Sequence, residues 1–259
     1  MRYTSDLTNS EWQHIDYCFP KASQKGRPRE HPYRELLNAI FYVVKTGCQW
    51  RNLPKDFAPW PTAHHYFRLW KRNGLWTQIH THLREHLRLL DGRKRHPSAA
   101  IIDSQSVKST ETSGERGYDA GKKVNGRKRH ILVDTIGLLL WVMVLPANIQ
   151  DREGAKQLLD TFFSRRAPRR VKHIWADGGY AGAPLDWSRT MWRCTIEVVK
   201  RSELHTFKVL PRRWVVERTF GWLGRSRRLN RDYERQAQTG ETMVYLAMTR
   251  LMLARLGRC

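Results

Sequence analysis

The spacing of apolar residues changes at Ala99, and this change constrains the fold more than any other feature of the chain. Upstream, apolar residues recur at helical spacing, whereas downstream they come in short runs bounded by glycines and charged residues. Such runs are typical of strands. A helix is predicted from Asp151 to about Phe163, and a later helix carries Glu217. The predicted strands cover residues 99–104, 130–135, 138–146, 171–176 and 195–200.

The order of these elements indicates a fold class. A strand, two hairpin strands, a helix, two more strands and a final acid-bearing helix form a mixed-sheet α/β order. This is the order of a ribonuclease H-like domain, which we place at residues 98–259. The segment between Gly114 and Arg129 is rich in glycine and cations, and we interpret it as a loop.

Residues 1–97 are predicted to form a separate all-α domain. Helices are expected at about 33–45, 62–73 and 78–90, and the second has an apolar stripe opposite a basic face. A basic face on the later helix of a trihelical unit is typical of helix-turn-helix DNA readers. An ordinary solvated face explains these residues equally well when they are taken alone. The basic face consists of His64, His65, Arg68, Lys71 and Arg72.

The charge of the chain restricts its partners. Lys and Arg number 47 against 24 Asp and Glu, so the formal net charge is +23. Both predicted domains are basic, which favours a polyanionic partner such as DNA or RNA. The four cysteines form no C-x-x-C pair, and no signal peptide or bilayer-length apolar run is visible. We therefore expect a reduced, cytoplasmic protein with no zinc site and no membrane partner.

Three carboxylates stand where a fold of this order gathers its functional groups. Asp103 and Asp177 each end a predicted strand, and Glu217 lies on the helix expected to pack across them. Converging carboxylates repel one another unless divalent cations bind, and hard oxygen ligands favour Mg²⁺ or Mn²⁺. Two such ions would activate a water or a 3′-hydroxyl and stabilise the leaving oxygen of a phosphodiester.

Each of these acids, taken alone, also has a structural interpretation. Asp103 could cap a turn with neighbouring serines, and Asp177 could serve the glycine turn that follows it. Glu217 could pair with an arginine on its own helix. Asp134 is a rival for one place in the triad if the strand register is shifted. Two further acids are interpreted as a loop residue and a helix-start residue, Asp119 and Asp151.

Five longer motifs resemble those of a known family. They are IIDSQSVK (101–108), GERGYDAGKK (114–123), GRKRHILVDT (126–135), WADGGYAG (175–182) and LPRRWVVERTFGWLGRSRRLNRDYE (210–234). Together with residues 36–60, they resemble the DDE transposases of bacterial insertion sequences. The group is the one named after insertion sequence five, within the insertion-sequence-four superfamily, and the resemblance covers nearly the whole chain.

The resemblance implies an enzyme that moves its own insertion sequence. The N-terminal domain would bind the terminal inverted repeats of double-stranded DNA. Asp103, Asp177 and Glu217 would form the catalytic, metal-binding triad, with Mg²⁺ as cofactor and Mn²⁺ as a substitute. Cleavage at the element ends would expose 3′-hydroxyls, which would attack target DNA by direct transesterification. A homodimer or larger synaptic complex is expected at the bacterial nucleoid, because two ends must be cut together.

The C-terminal motif departs from the family pattern at two positions. The superfamily signature places a tyrosine before its arginine and glutamate and a lysine after them. Arg213 and Glu217 match it, whereas Leu210 stands at the tyrosine position and Gly224 at the lysine position. The phosphate contact of that lysine would therefore pass to neighbours such as Arg225, Arg227 or Arg228, or be absent. The predicted phosphate contacts of the chain are Lys122, Lys123, Arg127, Lys128, Arg213, Arg225 and Arg228.

Two other functions remain open from the sequence. A ribonuclease H-like nuclease would cut DNA without joining it, although a sequence-specific N-terminal domain argues against this alternative. A transposase-derived DNA-binding protein would have lost catalysis, although none of the three acids is missing.

Overall fold

The computed structural model describes residues 3–20, 29–164, 170–180, 184–199 and 214–258. The chain forms two compact units. Unit 1 comprises Met1–Leu87, Gly224–Asn230 and Thr242–Cys259, and unit 2 comprises Arg88–Leu223 and Arg231–Glu241. The C-terminal part of the chain therefore contributes to both units. A division of function at residue 97 stays a prediction.

Unit 1 is built from helices. Its N-terminal part holds α1 (Asn9–Gln13), α2 (Tyr33–Thr46), α3 (Trp60–Arg72) and most of α4 (Leu75–Leu90). The three helices predicted at 33–45, 62–73 and 78–90 are confirmed, although the third begins earlier, at Leu75. The apolar residues that these helices bury include Leu36, Leu37, Ile40, Phe41, Phe67 and Trp70.

Polar contacts fix the start of α1. Thr8 and Glu11 form a capping box at α1, in which Glu11 N donates to Thr8 Oγ1 at 3.1 Å and Thr8 N donates to Glu11 Oε2 at 2.9 Å. Arg250, near the end of the chain, donates to Glu11 Oε1 at 2.8 Å. Glu11 therefore joins the first helix of the unit to its last segment.

Unit 2 is built on a six-stranded mixed sheet. Its strands are β1 (Ala99–Lys108), β2 (Gly117–Asp119), β3 (Val124–Asp134), β4 (Leu139–Pro146), β5 (His173–Ala176) and β6 (Thr195–Val198). The spatial order is β2-β3-β1-β5-β6, with β4 also paired to β3. The pairs that involve β3 are antiparallel, whereas β1–β5 and β5–β6 are parallel. The predicted mixed-sheet α/β class is confirmed.

Four helices complete the described part of the chain. They are α5 (Asp151–Ser164), α6 (Pro184–Trp192), α7 (Trp214–Gly224) and α8 (Ala237–Leu256), which continues into unit 1. Across the described ranges, no helix is long and apolar enough to cross a membrane. One face of the sheet and α5 form a continuous apolar core that includes Ala100, Ile102, Leu132, Leu158, Leu159, Ile174 and Ile196.

The prediction of a loop from Gly114 to Arg129 is wrong in two places, because Gly117–Asp119 form β2 and residues from Val124 form the start of β3. Residues from Val124 onward belong to β3, where Arg127, Lys128 and Arg129 pair with Val107, Ser106 and Gln105 of β1. The backbone hydrogen bonds of this strand are satisfied on both sides, because β3 lies between β1 and β4. The charged side chains did not prevent strand formation because the fold supplies acceptors for them.

The outer edge of β4 is closed at one point by a side chain. Val144 N donates a hydrogen bond to Glu241 Oε1 at 3.0 Å. Glu241 lies in the first part of α8, so this helix covers a backbone group that an edge strand would otherwise present.

A buried ion pair in unit 2 generates a stability prediction. Arg88 Nη1 lies 2.6 Å from Asp134 Oδ2, and the two side chains are 5% and 0% exposed. Asp134 Oδ1 also accepts hydrogen bonds from Ile136 N and Leu138 N in the β3–β4 turn. The substitution Asp134→Ala would leave the guanidinium group buried without its counter-charge. We expect it to lower the free energy of unfolding by about 3–5 kcal/mol, measured by urea denaturation.

An exposed ion pair in the same unit provides the control. Arg93 Nε lies 2.7 Å from Asp91 Oδ2, and both side chains are about half exposed. Because water screens such a pair, Asp91→Ala is expected to cost less than about 1 kcal/mol. Equal losses in the two variants would contradict a structural role for the buried pair.

Candidate active site

The parallel pairing of β1 with β5 brings two of the predicted acids together. Ala99, Ala100 and Ile101 pair with His173, Ile174 and Trp175. Continuing this register by two residues brings Asp103 alongside Asp177. The two acid-bearing segments therefore lie side by side at the centre of the sheet.

The two acids occupy different positions in their strands. Asp177 directly follows β5, as predicted. Asp103 lies inside β1 opposite Ile131, because β1 continues to Lys108, so the prediction that Asp103 ends its strand is wrong. Pairing with β3 extends β1 beyond the apolar run that the sequence shows.

Backbone groups orient one oxygen of each carboxylate. Ser104 N donates to Asp103 Oδ1 at 2.7 Å, and Gly179 N donates to Asp177 Oδ1 at 2.9 Å. The second bond is the Asx-type contact that was the structural alternative for Asp177. That contact uses one carboxylate oxygen, so a structural role and a chemical role are compatible at this residue.

The surroundings of Tyr180 show that a third carboxylate lies near Asp103 and Asp177. Its side chain is buried, and burial raises the pKa of its hydroxyl well above the ordinary value, as do the negative charges of Asp103, Asp151 and Asp177. A Cβ atom at Gly179 would lie 3.1 Å from Asp177 Oδ1 and 3.7 Å from Asp151 Oδ2. Asp151 therefore belongs to the acid cluster.

The sequence interpretation missed Asp151 as a member of this cluster. It is the first residue of α5, which is a common position for a structural aspartate. The signal that could have found it is topological. A helix that follows a hairpin and packs on the central strands begins close to the end of β1 or β5.

Glu217 lies on the exposed face of α7. The opposite face holds the helix to the β3–β4 turn, where Thr219 Oγ1 donates to Gly137 O at 2.9 Å and Arg218 Nη2 donates to Ile136 O at 3.0 Å. Among the residues that the structure describes, no three His, Cys, Asp or Glu side chains are arranged to hold a metal ion. The structure thus brings Asp103 and Asp177 together but does not bring Glu217 to them.

Asp134, the rival member of the triad, has another role. Its carboxylate is completely buried and paired with Arg88, as described above. A carboxylate without solvent access and with a guanidinium partner is a structural element of the core, so the rival assignment is wrong.

The donor set at Asp103 and Asp177 fits a divalent cation. Both side chains are partly exposed, and carboxylate oxygens are the ligands that Mg²⁺ and Mn²⁺ prefer. The negative charges of Asp103, Asp151 and Asp177 all act on Tyr180, and such a concentration of like charge is the condition that a cation relieves. The residues present therefore fit a hard metal ion, and Glu217 is the predicted ligand that would have to approach.

The basic face predicted for α3 is largely exposed. His65, Arg68 and Arg72 are exposed, and Lys71 is partly exposed. His64 is half-buried among aromatic rings, with its ring centroid 5.0 Å from that of Trp50. Burial lowers the pKa of His64, as does the charge of Arg68. Its contact with DNA stays a prediction.

The predicted phosphate contacts outside α3 divide into two groups. Lys122, Lys123 and Arg225 are exposed. Arg127, Lys128 and Arg228 are 2%, 4% and 8% exposed, so a phosphate cannot reach them and their prediction as DNA contacts is wrong. Arg213 lies outside the described residues.

The buried cations bond inside their own units. Arg127 Nη1 pairs with Asp232 Oδ2 at 3.2 Å, and the same guanidinium group donates to the carbonyl oxygens of Glu115, Glu234 and Arg235. Arg228 donates to Cys48 O at 3.2 Å. The acceptors of these buried cations therefore come from the protein itself.

A comparison with protein families shows to which family the chain belongs. The family model described as "Transposase DDE domain" matches residues 94–252, which is more than half of the chain. The chain belongs to this family. A second model, described as "Putative transposase of IS4/5 family", matches residues 7–80. The strand order, with its parallel pair at the centre, is therefore that of the ribonuclease H-like fold expected for a DDE transposase.

Two curated relatives come from Burkholderia cepacia. The transposase is 33% identical over 157 residues to "Putative transposase for insertion sequence element IS402", covering 58% of this chain and 70% of the relative. It is 32% identical over 94 residues to "Insertion element IS402 uncharacterized 16.2 kDa protein", covering 35% of this chain and 63% of that protein. Both names refer to one insertion element.

A solved structure is similar at a low level. It is a chain of the "Crystal structure of a pre-cleavage Mos1 transpososome", with a TM-score of 0.32 and 10% identity, covering 96% of this chain and 84% of that chain. Similarity at this level does not bear on mechanism. Family membership does establish the general chemistry, because DDE transposases are nucleotidyl-transfer enzymes that generally use divalent metal ions.

A histidine beside the acid cluster generates a pH prediction. His130 of β3 is completely buried, and a Cβ atom at Gly154 would overlap its ring, so only glycine fits there. Burial lowers the pKa of His130 to about 4; Asp151 raises it, and Lys128 and Lys122 lower it further. Because the unfolded pKa is about 6.5, protonation favours unfolding. The contribution of neutral His130 to the free energy of unfolding is fully present above pH 6.5 and is lost as the pH falls towards 4.

The measurement is urea unfolding from pH 4.5 to 7.5 for the wild type and for His130→Gln. We expect the wild type to lose up to roughly 3 kcal/mol more than the variant across this window. Carboxylates titrate in both proteins, as does His80, whose pKa burial lowers in the same direction. The difference between the two curves therefore isolates His130, and parallel curves would show that it does not titrate on unfolding.

Proposed function

We propose that this transposase binds the terminal inverted repeats of its insertion sequence, cleaves at the element ends and joins the 3′-hydroxyls to target DNA. The observation that carries this proposal is the position of Asp103 and Asp177, side by side on a parallel strand pair in a DDE transposase domain. The relatives named after one insertion element support a role in moving such an element.

The proposed catalytic groups are Asp103, Asp177 and Glu217. They would hold Mg²⁺, for which Mn²⁺ can substitute, and the ions would polarise the attacking hydroxyl and stabilise the leaving oxygen. The protein contributes orientation, since Ser104 N and Gly179 N each fix one carboxylate oxygen. Glu217 would complete the site from the exposed face of α7 when DNA is bound.

The proposed contacts to DNA use the exposed cations of both units. Arg68 and Arg72 on α3, with His65 and Lys71, would contact the inverted repeat. Lys122 and Lys123 lie in the turn before β3, close to the acid cluster, because Lys122 Nζ donates to Ser104 O at 3.3 Å. These two residues are therefore suited to hold the phosphates next to the scissile bond, and Arg225 would add a further contact.

The assembly and its location follow from the proposed reaction. Two ends of the element must be cut together, so at least two copies of the chain are expected in the synaptic complex. The substrate is double-stranded DNA, so the proposed site of action is the cytoplasm at the nucleoid.

A cleavage assay tests the proposed reaction. The substrate is a duplex that carries the element's own end, and wild type is compared with Asp177→Asn in Mg²⁺ and in EDTA. The amide keeps the size of the side chain but loses the charge that a cation requires. We expect cleavage and joining to fall by at least about 1000-fold in the variant, with end binding unchanged in an electrophoretic shift assay.

The same assay separates the alternatives. Asp134→Asn is not a suitable control because it disturbs the core, whereas Asp160→Asn changes an aspartate on α5 that is only partly buried and outside the cluster. Cleavage without joining would identify a nuclease. End binding without cleavage in any divalent metal would identify a DNA-binding protein that has lost catalysis, and would refute the proposed reaction.

Binding to the inverted repeat generates a second prediction. If Arg68 contacts a phosphate, Arg68→Ala should weaken end binding severalfold and reduce the slope of log K against log salt by about 1. Fluorescence anisotropy at several salt concentrations measures both quantities. Arg189→Ala, which removes an exposed arginine on α6, is the matched control. An equal change of slope in both variants would show that α3 has no special part in binding.

A further inference from the structure

A buried charged cluster lies beside the acids and is not used by the proposed reaction. Its centre is Lys128 of β3, which is 4% exposed. Lys128 Nζ donates to Ile149 O at 2.9 Å and lies 3.0 Å from Asp151 Oδ1 and 3.4 Å from Asp119 Oδ2. An ammonium group has three protons. Each proton therefore has an acceptor, and the position of the nitrogen is fixed from three directions.

Hydroxyl groups connect this cluster to the strand that carries Asp103. Ser104 Oγ donates to Asp151 Oδ1 at 2.8 Å, which is the same oxygen that Lys128 contacts. Ser106 Oγ donates to Asp119 Oδ2 at 2.6 Å, again an oxygen that faces Lys128. Only one carboxylate, that of Asp151, therefore separates the buried ammonium group from Ser104, the residue next to Asp103.

The cluster also reaches the segment that carries Asp177. Asp151 begins α5, and a Cβ atom at Gly179 would lie within 4 Å of both Asp151 Oδ2 and Asp177 Oδ1. One oxygen of Asp151 is held by Ser104 and Lys128, and the other lies towards the Asp177 turn. Asp151 therefore connects Lys128 to both segments, the one that carries Asp103 and the one that carries Asp177.

The negative charges of Asp119 and Asp151 require a cation between them, at the position of Lys128. Burial acts to raise the pKa of Asp119, but hydrogen bonds from Ser106 and from Lys122 N and the charge of Lys128 outweigh it and lower the pKa to about 2. The pKa of Asp151 is lowered against the same burial effect by Ser104, Lys128 and Lys122. Both carboxylates are thus charged beside Lys128, and Asp151 also lies near Asp103 and Asp177, where repulsion would otherwise push the segments apart.

We propose that Lys128 is a positioning residue of the transposase active site, which acts through Asp151 and Ser104 to hold the Asp103 and Asp177 segments at a fixed separation. It touches neither DNA nor the reacting atoms. Groups that orient metal ligands from behind typically contribute 10- to 100-fold to metal affinity or activity. This inference rests on the proposed role of Asp103 and Asp177 as ligands of a divalent cation.

The test is Lys128→Met, which keeps the length and apolar body of the side chain and removes its charge. Mn²⁺ binding to the full chain is measured by isothermal titration calorimetry. End-duplex binding is measured by anisotropy in EDTA, and cleavage by single-turnover kinetics. We expect Mn²⁺ affinity and the cleavage rate each to fall about 10- to 100-fold while the Kd for the end duplex is unchanged.

A matched control distinguishes positioning from stability. Arg88→Met removes the cation of another buried ion pair in the same unit, Arg88–Asp134, which does not contact the acid cluster. It should lower the melting temperature at least as much as Lys128→Met but leave Mn²⁺ affinity unchanged. An equal loss of Mn²⁺ affinity in both variants would overturn the inference, since Lys128 would then act only through stability.

A double variant tests whether Lys128 acts through Asp151. Asp151→Asn keeps the oxygen that accepts from Ser104 and removes the charge that Lys128 neutralises. If the two residues act together, Lys128→Met/Asp151→Asn should lose no more Mn²⁺ affinity than Lys128→Met alone, whereas multiplied losses would overturn the proposed connection. Ser104→Ala, which breaks only the hydroxyl bond, should lower Mn²⁺ affinity with little change in melting temperature, and it carries the test if Lys128→Met does not fold.

The readouts separate this inference from the proposed function. A wild type that binds Mn²⁺ in a Lys128-dependent way but does not cleave would support the positioning role and refute the proposed reaction. A wild type that cleaves, with a Lys128→Met variant that binds Mn²⁺ and cleaves equally well, would refute the positioning role and leave the reaction standing.

Discussion

The burial of consecutive basic side chains in β3 is the constraint on which the rest of unit 2 depends. A buried cation costs several kcal/mol unless it is paired and hydrogen-bonded, and here acceptors come from distant parts of the chain. Asp232 and three carbonyl oxygens surround Arg127, and burial lowers the pKa of Arg129 to about 10, which leaves it charged at neutral pH. The buried basic residues of β3 are Arg127, Lys128, Arg129 and His130.

This internal charge pairing explains how acids can be concentrated on the neighbouring strands. β1 carries Asp103 and lies between β3, which holds the cations, and β5, which leads to Asp177. A parallel pair needs a long crossover connection, and α5 lies in that crossover with Asp151 at its start. Chain topology, a buried ammonium group and the acid cluster are therefore parts of one arrangement. Asp103 lies within a paired strand, Asp177 directly follows one, and Asp151 begins the crossover helix.

Most of the helices and strands could be predicted from the local sequence pattern, whereas fewer of the site residues could. The apolar periodicity located α2, α3, α5 and the β3–β4 hairpin, because these elements bury a regular face. The same periodicity did not predict that β3 begins at Val124. Consecutive cations are typical of a loop, and nothing in the local sequence shows that their partners are buried with them. Asp232 is more than one hundred residues from Arg127, and such long-range pairs leave no local signal. Family resemblance and strand order were enough to predict Asp103 and Asp177. The place of Asp151 in the cluster could be recognised only from the three-dimensional structure.

The hydrogen bond from Val144 N to Glu241 Oε1 affects how copies of the chain behave when they are concentrated. An edge strand with available N–H groups is a template on which a second sheet can grow. A carboxylate bound at that edge removes one docking point and adds a negative charge, which a growing strand would have to displace and desolvate. Concentrated copies of the chain are then less prone to join at β4 into an irreversible aggregate.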